Sequence, residues 1–73
     1  MSDKELTFGE KAVGLTFNPS GDPDVQEVKE LYARLIDKLK TLQGAVGIEK
    51  YQLLSVAITE AQTAQMLAVK AIT

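Results

Sequence analysis

The sequence contains no cysteine and no histidine. Their absence removes disulfides, the thiolate nucleophile, the imidazole base and the usual ligands of zinc. A pair of carboxylates could still do acid–base chemistry, but the acidic residues lie mostly where they would cap helix starts. We therefore expect no metal, no cofactor and no enzymatic activity. A chain of 73 residues has a small hydrophobic core, and this one has neither disulfides nor a structural zinc to stabilise it. We therefore expect self-association to supply stability.

Long hydrophobic runs are also missing, and so is an excess of basic residues. No apolar run has the length of a signal-peptide core or of a membrane-spanning helix. The net charge is −2 and the isoelectric point is near 4.9. These values argue against binding to DNA or RNA polymers, which draws on a basic surface. We expect a soluble, cytoplasmic protein that makes no membrane contact, in which a few local donors could still hold a small anion.

Turn and capping signals divide the first half of the chain. Residues 1–5 are polar and are expected to fray. Thr7 and Glu10 have the spacing of a capping box, and Gly14 suits a left-handed stop, so a short helix is predicted over about 8–13. The chain then turns through a stretch with two prolines and a glycine, residues 19–23.

Two long helices are predicted in the remainder. Asp22 is a natural N-cap for a helix over about 23–43, and the stretch after Gly47 has no glycine or proline, which predicts a helix over about 48–72. The four-residue connector between them is short enough that they should fold back antiparallel. The prediction is an all-α single domain over residues 1–73, with a short helix followed by a long antiparallel hairpin.

The apolar arcs of the two long helices differ in width. In the helix over 23–43 the arc covers roughly 140°, the width expected for a helix packed on one side, whereas in the last helix it covers roughly 220°. The wide arc comprises Tyr51, Leu53, Leu54, Val56, Ala57, Ile58, Ala61, Ala64, Leu67, Ala68, Ala71 and Ile72. One neighbouring helix cannot cover it, so a homo-oligomer is predicted. Glu60 lies inside this arc and is expected to form an ion pair across a subunit contact, with a ligand role as the alternative.

The turn over residues 16–21 is the best candidate for a ligand site. It combines an aromatic side chain, Phe17, with a stiff turn that leads into the positive end of a helix, so it could stack a base and meet a phosphate. Lys29 lies at the edge of the apolar arc of the same helix and is placed to reach an anion. The alternative is that the turn is only a capped connector, with Phe17 filling the core.

Two segments carry a resemblance to a known family. TFNPSGDPDVQEVKELYARLID (16–37) and AITEAQTAQMLAVKA (57–71) resemble the helical hairpin domain of the phage anti-CBASS cyclic-nucleotide sponges, which is shared with one type of anti-Thoeris sponge. The resemblance spans about residues 15–72. It implies small helical proteins that assemble as homohexamers and sequester cyclic oligonucleotide signals without cleaving them.

The resemblance also implies site residues. Phe17 matches the aromatic residue that stacks on a ligand base, and Lys29 matches the lysine that contacts the ligand phosphate. The hypothetical ligand-binding set is Phe17, Asn18, Ser20, Gly21, Lys29, Thr59 and Lys70, the last two being secondary candidates from the polar face of the last helix.

Two functions follow as hypotheses. The first is a bacteriophage immune-evasion protein that sequesters cyclic di- or trinucleotides in the host cytoplasm and so blocks CBASS-type defence. The second is a small helical oligomer that serves as an interaction or scaffold module and binds no nucleotide.

Overall fold

A computed structural model describes residues 5–73 of the chain, and three helices account for most of them. They are α1 (Phe8–Val13), α2 (Pro23–Gln43) and α3 (Ile48–Ile72). No strand occurs within residues 5–73. The predicted all-α class, a short helix followed by a long hairpin, is confirmed. The expected fraying concerns residues 1–5, of which residues 1–4 lie outside the described part of the chain.

Both predicted N-terminal capping arrangements are present. The Thr7 hydroxyl accepts a hydrogen bond from the Glu10 amide at 3.1 Å, and the Glu10 carboxylate accepts one from the Thr7 amide at 2.9 Å, which completes the capping box. The Asp22 carboxylate accepts from the Asp24 amide at 2.8 Å at the start of α2. Gly14 ends α1 in the left-handed region, with φ of 64°. Local sequence therefore sets these helix ends.

A buried glutamine joins the two long helices near their connector. The Gln43 side chain donates from Nε2 to the Tyr51 carbonyl at 3.1 Å and to the Ser55 hydroxyl at 2.7 Å. These bonds tie the end of α2 to the first turns of α3, so the helices run antiparallel. The hydrophobic core lies along the hairpin and under α1, and consists of Val13, Ala33, Ile36, Ile58 and Ala61.

Helix α1 lies directly against the backbone of α2. A Cβ atom built on Gly9 would lie 2.1 Å from the Ala33 carbonyl oxygen, so only glycine permits this approach. The Gly9 amide donates to the Asp37 carboxylate at 2.7 Å, which satisfies one of the free amides in the first turn of α1. A short helix that is too weak to stand alone is held in place by this contact.

Helices α1 and α3 both pack on α2 and together bury one side of it. The buried residues of α2 are Val25, Lys29, Ala33, Ile36 and Gln43. At about 100° per residue, their mean direction is rotated by roughly 130° from that of Leu31, Leu35 and Leu42. Those three leucines, which we call the α2 stripe, are exposed. Packing within the single chain therefore covers only part of the apolar arc of α2.

Helix α3 has a matching uncovered region. Leu53, Val56 and Leu67, which we call the α3 stripe, are exposed and lie nearly opposite the buried residues Ile58, Ala61 and Gln65. This is the outer part of the wide arc that one neighbour was not expected to cover. Within residues 5–73, no helix is both long enough and apolar enough to cross a membrane.

Candidate functional site

The turn between α1 and α2 is built from its own side chains. Asn18 donates from Nδ2 to the Asp22 carbonyl at 3.1 Å and accepts on Oδ1 from the Ser20 hydroxyl at 3.1 Å. The Ser20 hydroxyl accepts in turn from the Asp22 amide at 3.2 Å. The Gly21 amide donates to the Asn18 carbonyl at 3.0 Å, and Gly21 itself has a φ of 67°, a region that favours glycine. These bonds make the turn a rigid element.

Phe17 points outward from this turn. Its side chain is 71% exposed, so the alternative in which it fills the core is wrong. The Lys29 ammonium lies 5.6 Å from the centroid of the ring, within the range of a cation–π contact. A large exposed aromatic ring beside a fixed cation is suited to stacking on a planar, anionic ligand.

Lys29 lies at the edge of the apolar arc of α2, and this edge is inside the molecule, next to the fully buried Ile36. Lys29 is only 5% exposed, and its ammonium donates to the Gly14 carbonyl at 3.0 Å and to the Phe17 carbonyl. An ammonium has three donors, so one remains beyond these two bonds. Because both acceptors are neutral carbonyls, the positive charge persists beside the Phe17 ring. A phosphate contact by Lys29 remains a prediction, and it rests on that third donor.

Two grooves meet at Phe17 and Lys29. The first, the loop groove, has a volume of about 270 Å³ and lies between the turn and the last residues of α3. The second, the helix groove, has a volume of about 480 Å³ and lies between α1 and α3. Phe17, Lys29 and Val69 line both, so a ligand seated over the ring has access to either side. The volume of the helix groove is in the range of small-molecule sites, about 300 to 1,000 Å³, and that of the loop groove lies just below it.

The structure brings four of the predicted site residues together. Phe17, Asn18, Ser20 and Lys29 all line the loop groove, and Gly21 lies in the adjoining turn without lining either groove. Their assembly follows from the turn, which places its own residues beside the first turns of α2.

Thr59 and Lys70 are not part of that group within one chain. Both are exposed and neither lines a groove with Phe17. The Thr59 hydroxyl donates to the Ser55 carbonyl at 3.2 Å, and Thr59 lies ten residues before Val69, or about 15 Å along the helix. A ligand role for either residue requires a surface beyond the grooves.

Sequence reasoning missed several residues of the grooves. Val25, Val69 and Thr73 line the loop groove, and Gln65 and Met66 line the helix groove. The antiparallel register of the hairpin could have indicated the first three, because it places the last turn of α3 beside the first turn of α2. No group of three or more acidic, histidine or cysteine side chains that could hold a metal occurs between residues 5 and 73.

The fold and its grooves define the class of the protein: an α-helical hairpin with a short leading helix and ligand-sized grooves beside the connecting turn. The family model described as Acb2/Tad1, hairpin domain, matches residues 10–73. The chain therefore belongs to the Acb2/Tad1 hairpin-domain family, the anti-CBASS and anti-Thoeris sponges that its sequence resembles. No curated protein and no solved structure matches the chain.

Proposed function

We propose that this protein is a phage-encoded sponge that binds cyclic di- or trinucleotides in the host cytoplasm and holds them without cleavage, which blocks CBASS-type defence. Membership of the Acb2/Tad1 family supports a cyclic-nucleotide ligand. The observation that carries the proposal to this chain is the exposed Phe17 ring beside the buried Lys29 ammonium, at the junction of two grooves. A sponge removes its ligand by mass action, so it needs affinity and abundance and no reacting groups.

The ligand would use the two features in different ways. A base would stack on the Phe17 ring, and a phosphate would accept a hydrogen bond from the third donor of Lys29. The Asn18 and Ser20 side chains already bond within the turn, so they would contribute by keeping it rigid and by offering remaining lone pairs. The α3 residues Thr59 and Lys70 would reach a ligand only where a second copy of the chain brings them near.

The proposal includes a homo-oligomer, with a hexamer as the expected state. The α2 and α3 stripes together expose six large apolar side chains, an unusual number for a chain of this size. Burying one leucine is worth about 1.5 to 3 kcal/mol, so covering the stripes with other copies supplies the stability that the small core lacks. Glu60 lies on the same side of α3 as the α3 stripe, and its proposed partner is a basic residue of another copy.

Isothermal titration of the protein with a panel of cyclic dinucleotides and trinucleotides tests the function. Saturable binding is expected, and mass spectrometry of the ligand released by denaturation should return it intact. A shortened or linearised product would contradict the sponge and favour an enzyme. Absence of binding across the panel, with a stable oligomer present, would favour the interaction or scaffold module.

Phe17→Ala tests the stacking role, and the chain contains a matched control in Phe8. The Phe8 ring is also exposed and has the Lys40 ammonium 4.8 Å from its centroid, but it lines neither groove. Loss of one base–aromatic stack is worth about 1 to 3 kcal/mol, so Phe17→Ala should weaken binding by about tenfold or more. Phe8→Ala should bind as the wild type does, and equal losses in the two variants would exclude a specific stack on Phe17.

A further inference from the structure

Three polar side chains are buried in this small protein, and two of them have partners within it. Lys29 bonds to two carbonyls, and Gln43 bonds to the Tyr51 carbonyl and the Ser55 hydroxyl. Gln65 is the third and is 4% exposed. Within residues 5–73, no hydrogen bond pairs its carboxamide with another group.

The position of Gln65 makes this lack of a partner informative. It lies on the buried side of α3 with Ile58 and Ala61, where an apolar residue would pack without any polar group to satisfy. A buried amide that makes no hydrogen bond costs about 1 to 3 kcal/mol. No side-chain nitrogen or oxygen in the described residues is both sealed from solvent and unpaired, so the carboxamide reaches the opening of the helix groove. Within residues 5–73 the carboxamide is thus free to bond to a group that enters the groove.

The helix groove also contains the groups that a nucleotide needs. The Phe17 ring and the Met66 side chain are exposed there, and Lys11 and Lys29 supply positive charge. A base that stacks on Phe17 presents its edge to the wall of the groove, and Gln65 is the polar, uncharged side chain in that wall. A carboxamide donates and accepts at adjacent positions, which matches N7 and the N6 amino group of adenine.

We propose that Gln65 reads the base of the bound cyclic nucleotide, with its NH₂ group donating to adenine N7 and its oxygen accepting from the N6 amino group. This inference rests on the proposed function and adds a preference for adenine to it. A bidentate contact of this kind discriminates against other bases by about tenfold or more.

The test compares Gln65→Met with Gln52→Met, a matched change at an exposed position on the same helix that lines neither groove. Each protein is titrated with cyclic di-AMP, with cyclic di-GMP and with cyclic di-AMP whose adenines carry carbon in place of N7. The wild type and Gln52→Met should bind cyclic di-AMP about tenfold more tightly than its 7-deaza analogue. Gln65→Met should bind both with the same reduced affinity. Circular dichroism checks folding, and Gln65→Glu, which keeps the shape and removes the donating NH₂ group, replaces Gln65→Met if that variant does not fold.

The outcomes separate the two proposals. A wild type that binds no cyclic nucleotide overturns the proposed function. A wild type that binds cyclic di-GMP and not cyclic di-AMP, or a Gln65 variant that keeps the full penalty for the 7-deaza analogue, overturns the role of Gln65 and leaves the sponge intact. A methionine variant that binds cyclic di-AMP as the wild type does has the same consequence.

Discussion

The inside of this protein and its outer surface are composed in opposite ways. The buried interior contains Lys29, Gln43 and Gln65, whereas the α2 and α3 stripes expose five leucines and one valine. Burial in a single chain is therefore set by the packing of α1 and α3 on α2 and by hydrogen bonds to buried polar groups, and not by hydrophobicity alone. The apolar groups left outside are those that another copy of the chain would cover.

The buried polar residues and the exposed apolar stripes are expected to have different roles. Inside, Lys29 holds the turn that presents Phe17, Gln43 joins α2 to α3, and Gln65 is the residue proposed to contact a ligand. The apolar side chains of the two stripes are exposed in the single chain. We therefore expect them to add to stability mainly when other copies cover them. Substitutions in the two regions should consequently have different effects, and the following variants test this from the largest expected effect to the smallest.

The double variant Leu53→Lys with Leu67→Lys should have the largest effect, and it should act on assembly. These side chains are 71% and 63% exposed in one chain, so their replacement should leave the folded chain intact. In an oligomer the two ammonium groups would be buried without partners, at a cost of several kcal/mol each. Sedimentation should show the wild type as an oligomer and the variant as a particle of 7.9 kDa.

The control for this variant places the same charges on the polar side of α3, as Gln52→Lys with Thr63→Lys. Both positions are exposed, and neither belongs to a stripe. The control should assemble as the wild type does. A wild type that is itself a folded 7.9 kDa particle at micromolar concentration would contradict the proposed assembly.

Gly9→Ala should destabilise the fold by about 3 kcal/mol. The new methyl group would lie 2.1 Å from the Ala33 carbonyl oxygen and 2.9 Å from the Asp37 carboxylate, so α1 must move away from α2. Chemical denaturation measures the change. Gly44→Ala is the control, because its Cβ would have its nearest contact at 3.4 Å and its φ of −73° suits alanine. Equal stability of the two variants would show that the close approach of α1 is not essential.

Lys29→Met should destabilise the fold by about 2 kcal/mol, since the Phe17 carbonyl loses the Lys29 donor and the Gly14 carbonyl keeps only the Phe17 amide, at 2.9 Å. It should also weaken ligand binding, because the turn that carries Phe17 loosens. Lys38→Met, at an exposed position of the same helix, should change neither property. If Lys29→Met weakened binding with no loss of stability, the ammonium would serve the ligand alone and the interior contacts would be secondary.

The features that sequence predicted are those set by neighbouring residues. The capping box of Thr7 and Glu10, the N-cap Asp22 and the left-handed Gly14 each depend on residues within one turn of one another. The antiparallel hairpin followed because a short connector allows little else. The position of Phe17 in a stiff turn was also local, which is why the candidate site could be located before the structure.

The features that sequence missed depend on contacts between distant residues. The approach of Gly9 to Ala33 joins α1 to α2, and no periodic pattern in either helix reveals it. The position of Lys29 at the edge of the apolar arc gives no sign of its burial, which becomes possible because the Gly14 and Phe17 carbonyls accept from its ammonium. Gln65 was assigned no role, because its unpaired amide becomes apparent only when its neighbours are known.

The bond from Lys29 to the Phe17 carbonyl has a consequence for how quickly a signal could be captured. It anchors the backbone from which the ring projects, so the platform is pre-organised and little chain entropy is lost when a guest arrives. Encounter would then be limited by diffusion more than by rearrangement. A scavenger that competes with a cellular receptor for scarce molecules gains directly from being ready in advance.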